Sequence, residues 1–554
     1  GLTPPPEEGV PAPRLRGGNA LTTTWVDRRY AYDAYGNLTV SADETGSITD
    51  PNRRTDIGFD TTWNLFPVTE TTPANEFGTR LVTTTAWDAG CVAKTSLTDP
   101  NGAVTTTTLD PFCRVATVEK PLGDYEHWTY VDDAVNGWTA RMVAPAPTGQ
   151  TAELFTETLF DGLARPAKVT KSGNSASQPI IVETGYDGRG NKASETLPRY
   201  GSATTYTRNF RFDALARPIA TIEPDGAETT SAYGLSPEPL GHLAVTVTDP
   251  NGNVAVTHTD GFGRDIRRDR VHTTSQTATT RITRDAMGRV TGITDPIGAV
   301  WANVWDSLGR RVSATDPDLG TWTYEYDAAG RLTRQTDSRG NVVDLVHDKL
   351  GRVLTRTVTP SGGTAEITRS VWDEVRPGAA NLGRLSREAS AIARVWRDPD
   401  AAGRVLAERW PLPADTTSTC GTDPAGSESL TLSTTYDAGG RVTTRTWPDG
   451  DVTGTTAIPM KYDTAGRLKY VPGLVYLLTY DAAGHTIRAN YANGVSSIFG
   501  YDARRGWLTS VSHEQAGTAF ETKTYDHDTG GPITAITSST PGESWTYLYD
   551  RLDR

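Results

Sequence analysis

The chain has 554 residues, of which 36% are hydrophobic and 22% charged, and a net charge of −13. So low an apolar share disfavours one large compact core and suits a repeat array in which each unit buries area only against its neighbours, while the charged content is not that of a disordered chain. The acidic balance argues against nucleic acid or an anionic membrane as partner, because phosphate binding draws on a Lys/Arg excess. No apolar run approaches membrane-spanning length.

In chain order, the first element is not a strand or a helix but a Pro/Gly-rich stretch. Residues 1–29, with Pro4-Pro5-Pro6-Glu7-Glu8, read as a linker or the end of a preceding domain. No signal-peptide pattern is visible, so the sequence looks like an internal fragment.

From residue 30 the chain repeats itself. The segment Tyr32-Asp33 with Gly36 recurs as Tyr186-Asp187 with Gly190, and as Trp305-Asp306 with Gly309-Arg310. It recurs again as Tyr326-Asp327 with Gly330-Arg331, Tyr436-Asp437 with Gly440-Arg441, and Tyr462-Asp463 with Gly466-Arg467. Related copies begin at Thr259, Arg284, His347, Pro399, Tyr480, Tyr501 and Tyr525, and degenerate ones lie around Tyr130 and Tyr233. Asp285, Asp306, Asp327 and Asp348 stand 21 residues apart by subtraction, the size of one small supersecondary unit. About twenty-two such units fill residues 30–554, and the last stops inside a hairpin at Tyr549-Asp550.

The chemistry of one unit explains its pattern. An aromatic residue closes a strand, as in Thr321-Trp322-Thr323-Tyr324-Glu325-Tyr326. Asp follows at the first position of a tight turn, where its carboxylate accepts from backbone N–H groups. Gly sits three residues later, where a three-residue hairpin loop needs a left-handed residue. An Arg-Leu or Arg-Val pair then opens the returning strand. Asp99-Pro100-Asn101-Gly102, Asp249-Pro250-Asn251-Gly252 and Asp295-Pro296-Ile297-Gly298 carry a second, type I turn. Where Cys113, Ala164, Ala216 and Asp553 replace the glycine, a left-handed backbone would cost roughly 1 kcal/mol or more, and the turn is expected to relax to another type.

The YDxxGR core, the DPxG turns and the period in the low twenties resemble the YD/Rhs repeat family over about residues 30–554. Close in pattern are the B and C components of bacterial Tc toxin complexes, polymorphic Rhs toxins, wall-associated bacterial proteins and the teneurin barrel. The resemblance implies an all-β fold of tandem hairpins joined into a long strip that spirals into a hollow shell. It also implies secretion or delivery to a target cell, with an enclosed toxin polypeptide, the remaining shell segment and a pore-forming or secretion-system component as partners. A strip spiralling on itself would pair each turn of the spiral with the next and hide most strand edges. No DPxGL cleavage segment closes the array: Asp295-Pro296-Ile297-Gly298-Ala299 and Asp316-Pro317-Asp318-Leu319-Gly320 sit within it and read as turns.

Candidate chemistry is sparse. The eight histidines (127, 242, 258, 272, 347, 485, 513 and 527) are dispersed, without a close ligand pair. His347 stands where the repeat wants Tyr, and Asp526-His527-Asp528 falls on a turn. Three cysteines (Cys91, Cys113 and Cys420) are too few and too scattered for a disulfide framework or a zinc site. The many Asp residues recur in register, which marks them as turn formers and not as a catalytic pair. No catalytic residue, metal ligand or cofactor is therefore assigned. The aromatic residues, one per repeat, are expected to pack across strands; the alternative is a surface-displayed adhesion ladder that stacks on glycans or another cell.

Overall fold

Thr-rich, β-branched sequence broken by turn signals about every ten residues leaves the chain no route to a helix longer than a single turn. The computed structural model describes residues 15–16, 25–26, 28–43, 48–133, 137–175, 177–201, 203–236, 242–273, 276–391, 393–411 and 429–549. It is an all-β chain of tandem hairpins. Nearly every strand pairs antiparallel with the strand before and after it in sequence, from Arg29–Tyr32 through to Val452–Thr453. The ladder then breaks. Lys461–Tyr462 pairs with Leu468–Tyr470, and a last sheet of seven strands runs from Val475–Tyr480 to Trp545–Thr546.

This strip is one layer thick. Strands such as Gly320–Tyr326 alternate between half-buried Trp322, Tyr324 and Tyr326 and exposed Thr321, Thr323 and Glu325. Buried apolar side chains among the described residues are scattered along the chain, for example Ala42, Leu81, Ala140, Trp396 and Ala489. The chain exposes 31607 Å², against roughly 19,000 Å² for a compact monomer of its 59.7 kDa.

The strip returns on itself after nearly 300 residues. Asn75 meets Asp373, Thr148 meets Asp437, and Asn251 meets Asp528. Between the first two partners lie 25 strands, from Arg80–Asp88 to Glu366–Trp372, with Lys192–Thr196 and Arg199–Tyr200 counted as one. At about 4.8 Å per strand that is a circumference of about 120 Å and a diameter of about 40 Å. A wall one sheet thick cannot fill that width, so the spiral is hollow.

Three expectations need correcting. Among the described residues, successive windings do not pair as strands: they meet through turns and side chains at the long edges of the strip. The turns that lack glycine do not relax either. Cys113, Ala164 and Ala216 keep φ of 62°, 61° and 60°, in the same left-handed well as Gly330 at 85°. The Asp at the head of each turn still accepts two backbone N–H groups, from Phe112 and Arg114, Leu163 and Arg165, and Leu215 and Arg217. That network holds the turn against the strain. Asp553 lies outside the described residues. Finally, Cys91 and Cys113 form a disulfide across 22 residues, with Cα atoms 5.3 Å apart. Twenty-two residues is one repeat, so the two cysteines sit on adjacent hairpin tips of one edge; Cys420 lies outside the described residues.

Candidate functional site

The motif residues form a relay from each unit to the next. In the unit at Asp327, the Asp327 N–H donates to the Arg331 carbonyl at 2.9 Å, and the Gly330 N–H to the Asp327 carbonyl at 3.0 Å. One carboxylate oxygen of Asp327 accepts the Arg331 N–H at 2.8 Å, and the other accepts Arg331 Nε at 2.6 Å. The guanidinium is thereby held flat, and its Nη1 reaches forward to the carbonyl of Asp348 in the next unit, at 2.8 Å. The aromatic residue reaches back. Tyr326 Oη donates to the Arg311 carbonyl at 2.8 Å while Arg310 lies over its ring, 4.9 Å from the centroid.

The same relay recurs along the chain. Trp305 donates to the Val290 carbonyl, Tyr186 to Pro166, Tyr436 to Val405, Tyr462 to Val442 and Tyr480 to Leu468. Arg289, Arg165, Arg404, Arg441 and Arg467 cover the corresponding rings. It spans the two places where the backbone ladder breaks, since Tyr462 and Tyr480 both reach across them. Gly36, Gly190, Gly309, Gly330, Gly440 and Gly466 all have φ between 81° and 91°, as the turn requires.

Variants keep the geometry. Asn37 and Asn191 replace Arg and donate Nδ2 to Asp33 and Asp187. His485 does so with Nδ1, 2.7 Å from Asp481, its ring stacked on Tyr501 at 4.5 Å. His347 takes the Tyr position; its Nδ1 is buried without a partner, and burial followed by the Arg331 charge pushes its pKa down. The last of the related copies moves by two residues: His527, and not the expected Tyr525, stands in the aromatic position before the turn headed by Asp528, with Nε2 2.8 Å from the Leu508 carbonyl. The degenerate units keep the aromatic and lose the Asp turn: Tyr130 and Tyr233 still donate to the Val115 and Pro218 carbonyls under Arg114 and Arg217. Tyr32 is 61% exposed at the start of the array.

Hydrogen bonding lowers the pKa of three turn carboxylates to about 2. The Arg165 side chain and then its N–H hold Asp161 at about 2, and Arg264 does the same for Asp260. Asp60 reaches about 2 through backbone N–H groups, that of Phe66 first.

The two long edges of the strip carry different turns, and the seam between windings joins unlike edges. First-winding linking turns meet second-winding Tyr-Asp turns. Asn101 of the Asp-Pro-Asn-Gly turn exchanges two hydrogen bonds with the backbone of Leu382, at 2.9 and 2.8 Å, and Asn251 donates to Asp528 at 2.9 Å. Thr148 donates its N–H and hydroxyl to Asp437, and Arg441 reaches the carbonyls of Pro145 and Ala146. Tyr200 donates to the carbonyls of Tyr480 and Asp481 and receives Arg467, while Arg505 clasps Asp225. The most enclosed contact is Asp373, 1% exposed, which accepts from Asn75, from both terminal nitrogens of Arg352 and from the Gly383 N–H.

A Ser–His–Asp trio, not visible in the sequence because it joins two strands and the residue that follows a third, lies apart from the seam. His258 Nδ1 is 2.8 Å from Ser236 Oγ, and Nε2 is 3.0 Å from Asp269. Burial raises the Asp269 pKa, but hydrogen bonds from Arg267, Thr279 and His258 outweigh it and hold it below the usual range. Ser236 is 1% exposed, so the trio is a polar clamp across the sheet with no open face for a substrate. No group of metal-ligating side chains occurs among the described residues.

Fold and relay together define a tandem hairpin-repeat protein that builds a curved wall. Residues 284–321, 305–342 and 326–364 match the RHS repeat. Those residues are RHS repeats, and the chain as a whole resembles the Tc toxin components in fold. It superposes on the crystal structure of TcdB2-TccC3 with TM-score 0.80 at 16% identity, covering 95% of this chain and 31% of that one. It matches TcdB2-TccC3 without its hypervariable C-terminal region with TM-score 0.79 at 15% identity, covering 95% and 33%. The Photorhabdus luminescens Tc holotoxin pore with TccC3-D651A gives 0.79 at 15%, covering 97% and 34%. The chain thus spans about a third of the length of the structures it matches, and at these identities the likeness is one of fold. No curated protein matches it.

Proposed function

We propose that these residues form two windings of a shell that houses a toxin polypeptide for delivery outside the producing cell, with the rest of the wall and a pore or secretion component as partners. The carrying observation is the self-seaming spiral, which turns a strip wet on both faces into a wall around a space about 40 Å across. The relay makes that wall continuous, and its residues are structural. Residues 30–554 act as the wall, and the Pro/Gly-rich residues 1–29 lie outside it. The adhesion alternative is weakened because the repeat aromatics lie under guanidinium groups and bond to backbone carbonyls, which leaves few ring faces for sugars.

Electron microscopy of the full-length protein tests the reading, together with limited proteolysis before and after the shell is opened with denaturant. The expected result is a hollow particle with internal density and a segment cleaved only after opening. A solid rod, or an interior without polypeptide, would overturn it.

A further inference from the structure

At its start the seam is built differently from the rest. Residues 28–55 of the first winding face the turn tips at 329–331 and 349–351 of the second. Arg53 and Lys349 stand 296 residues apart by subtraction, in step with the 298 between Asn75 and Asp373. Further on, direct hydrogen bonds such as Asn75 to Asp373 and Thr148 to Asp437 join the windings. Among the described residues none crosses between 28–55 and 329–351, and no ion pair does.

The two sides instead enclose a cleft of about 340 Å³, near the lower end of the range for small-molecule sites. Five cations line it: Arg28, Arg53 and Arg54 from the first winding, Arg331 and Lys349 from the second. Asp43 is the one carboxylate in the lining among the described residues. Arg54 is paired with Asp56 at 2.7 Å and Arg331 with Asp327 at 2.6 Å. Arg28, Arg53 and Lys349 are exposed and have no ion pair among the described residues. Arg331 uses Nε and Nη1 in its own relay, which leaves Nη2 without a partner there.

Like charges on opposite sides of a seam repel, against the closure that the other seam contacts make. In a chain of net charge −13 such a surplus is not a by-product of composition. An anion between the two sides turns the repulsion into a bridge. Guanidinium forks and an ammonium group are the donors that hold phosphoryl oxygens. A terminal phosphoryl group brings roughly −1.5 to −2 charges and three acceptor oxygens in a small volume, which matches the charge gathered here better than a carboxylate does.

We propose that this cleft binds a soluble oligophosphate, a ligand with two or more linked phosphoryl groups, which bridges the two windings and completes the seam at its start. The acidic chain disfavours an anionic bilayer as the source of those phosphoryl groups. The inference rests on the contact between windings and not on what the wall encloses.

Calorimetric titration of the full-length protein with inorganic pyrophosphate, at constant ionic strength, tests the site alongside hydrogen exchange. Saturable binding is expected, with exchange slowed in Arg29–Tyr32 and Leu332–Thr336 and unchanged in the distant strand Leu508–Gln515. Arg53→Gln combined with Lys349→Gln takes one cation from each winding and should weaken binding by about tenfold or more, while unliganded exchange of Glu366–Trp372 stays as in the parent. Arg28→Gln alters no ion pair of the described residues and should weaken binding on its own. Arg504→Gln removes the same charge from an exposed tip away from the cleft and should leave binding intact. No saturable binding, equal weakening by Arg504→Gln, or full binding in both the double variant and Arg28→Gln would overturn the proposal. So would binding to vesicles carrying phosphatidylinositol bisphosphate without binding of free pyrophosphate. A hollow particle that binds no pyrophosphate would remove this site and leave the proposed wall standing.

Discussion

Asn75 Nδ2 lies 2.9 Å from Asp373 Oδ2, although 298 residues separate them. Asp373 has a backbone φ of 61°, and Arg352 and the Gly383 N–H donate to it from within its own winding. One buried carboxylate thus ties the ladder of the second winding to the edge of the first.

Removing that carboxylate leaves Arg352 buried with only Asp348 as its ionic partner. Asp373→Ala is expected to cost about 3 kcal/mol, the usual scale for breaking a buried ion pair from one side. Asn75→Ala is expected to cost about 1 kcal/mol, the scale of one hydrogen bond. In a repeat array these losses act locally. Hydrogen exchange across Glu366–Trp372 and Leu385–Ala389 should accelerate, with distant strands unchanged.

The relay gives Arg310 three duties: it clamps Asp306, covers Tyr326 and bonds the Asp327 carbonyl. Lys keeps the charge and loses the planar fork. Arg310→Lys should destabilise the unit by about 1 kcal/mol and Arg310→Ala by about 2 kcal/mol. Both are measurable as a lower denaturant concentration for local exchange of Gly320–Tyr326.

Ala164 and Ala216 bear left-handed strain that glycine would relieve. Ala164→Gly is expected to stabilise by up to about 1 kcal/mol, the unfolded-chain entropy of glycine taking back part of the gain. Gly330→Ala should cost a similar amount. Thermal unfolding that moves in opposite directions for the two substitutions is the expected reading.

Two of the turn carboxylates set an acid limit. Asp161 and Asp260, at about 2, are ionised in the fold well below the ordinary carboxylate value near 3.9. Their folded pKa is depressed, so their contribution is full above about pH 4 and fades as pH falls towards 2. Stability measured between pH 5 and 2 should decline, and Asp161→Asn should flatten part of that slope.

Much of the fold was legible in the sequence because a repeat multiplies a weak local signal. One Tyr-Asp pair says little, but the 21-residue steps from Asp285 to Asp348 fix the turn, its glycine and the hairpin. The role of Arg331 was not legible, since its Nη1 partner is a backbone carbonyl in the next unit. Nor was the seam: Asn101 finds Leu382 across 281 residues, a separation that depends on how many strands make one winding. The disulfide was open to reading, since 22 residues from Cys91 to Cys113 is one unit. The relaxed turns expected at Ala164 and Ala216 failed because local strain energy was weighed without the carboxylate network that opposes it.

Seam partners stand 267 to 312 residues apart, so they are matched by position around the circle and not by any fixed interval. Every hairpin is therefore also an address. Duplicating or losing one unit between Asn75 and Asp373 would leave the local relay intact yet deliver every later tip to the wrong neighbour. Such an array can drift freely in sequence within its units while its number of units stays locked, and it can lengthen safely only by adding units beyond the last seam.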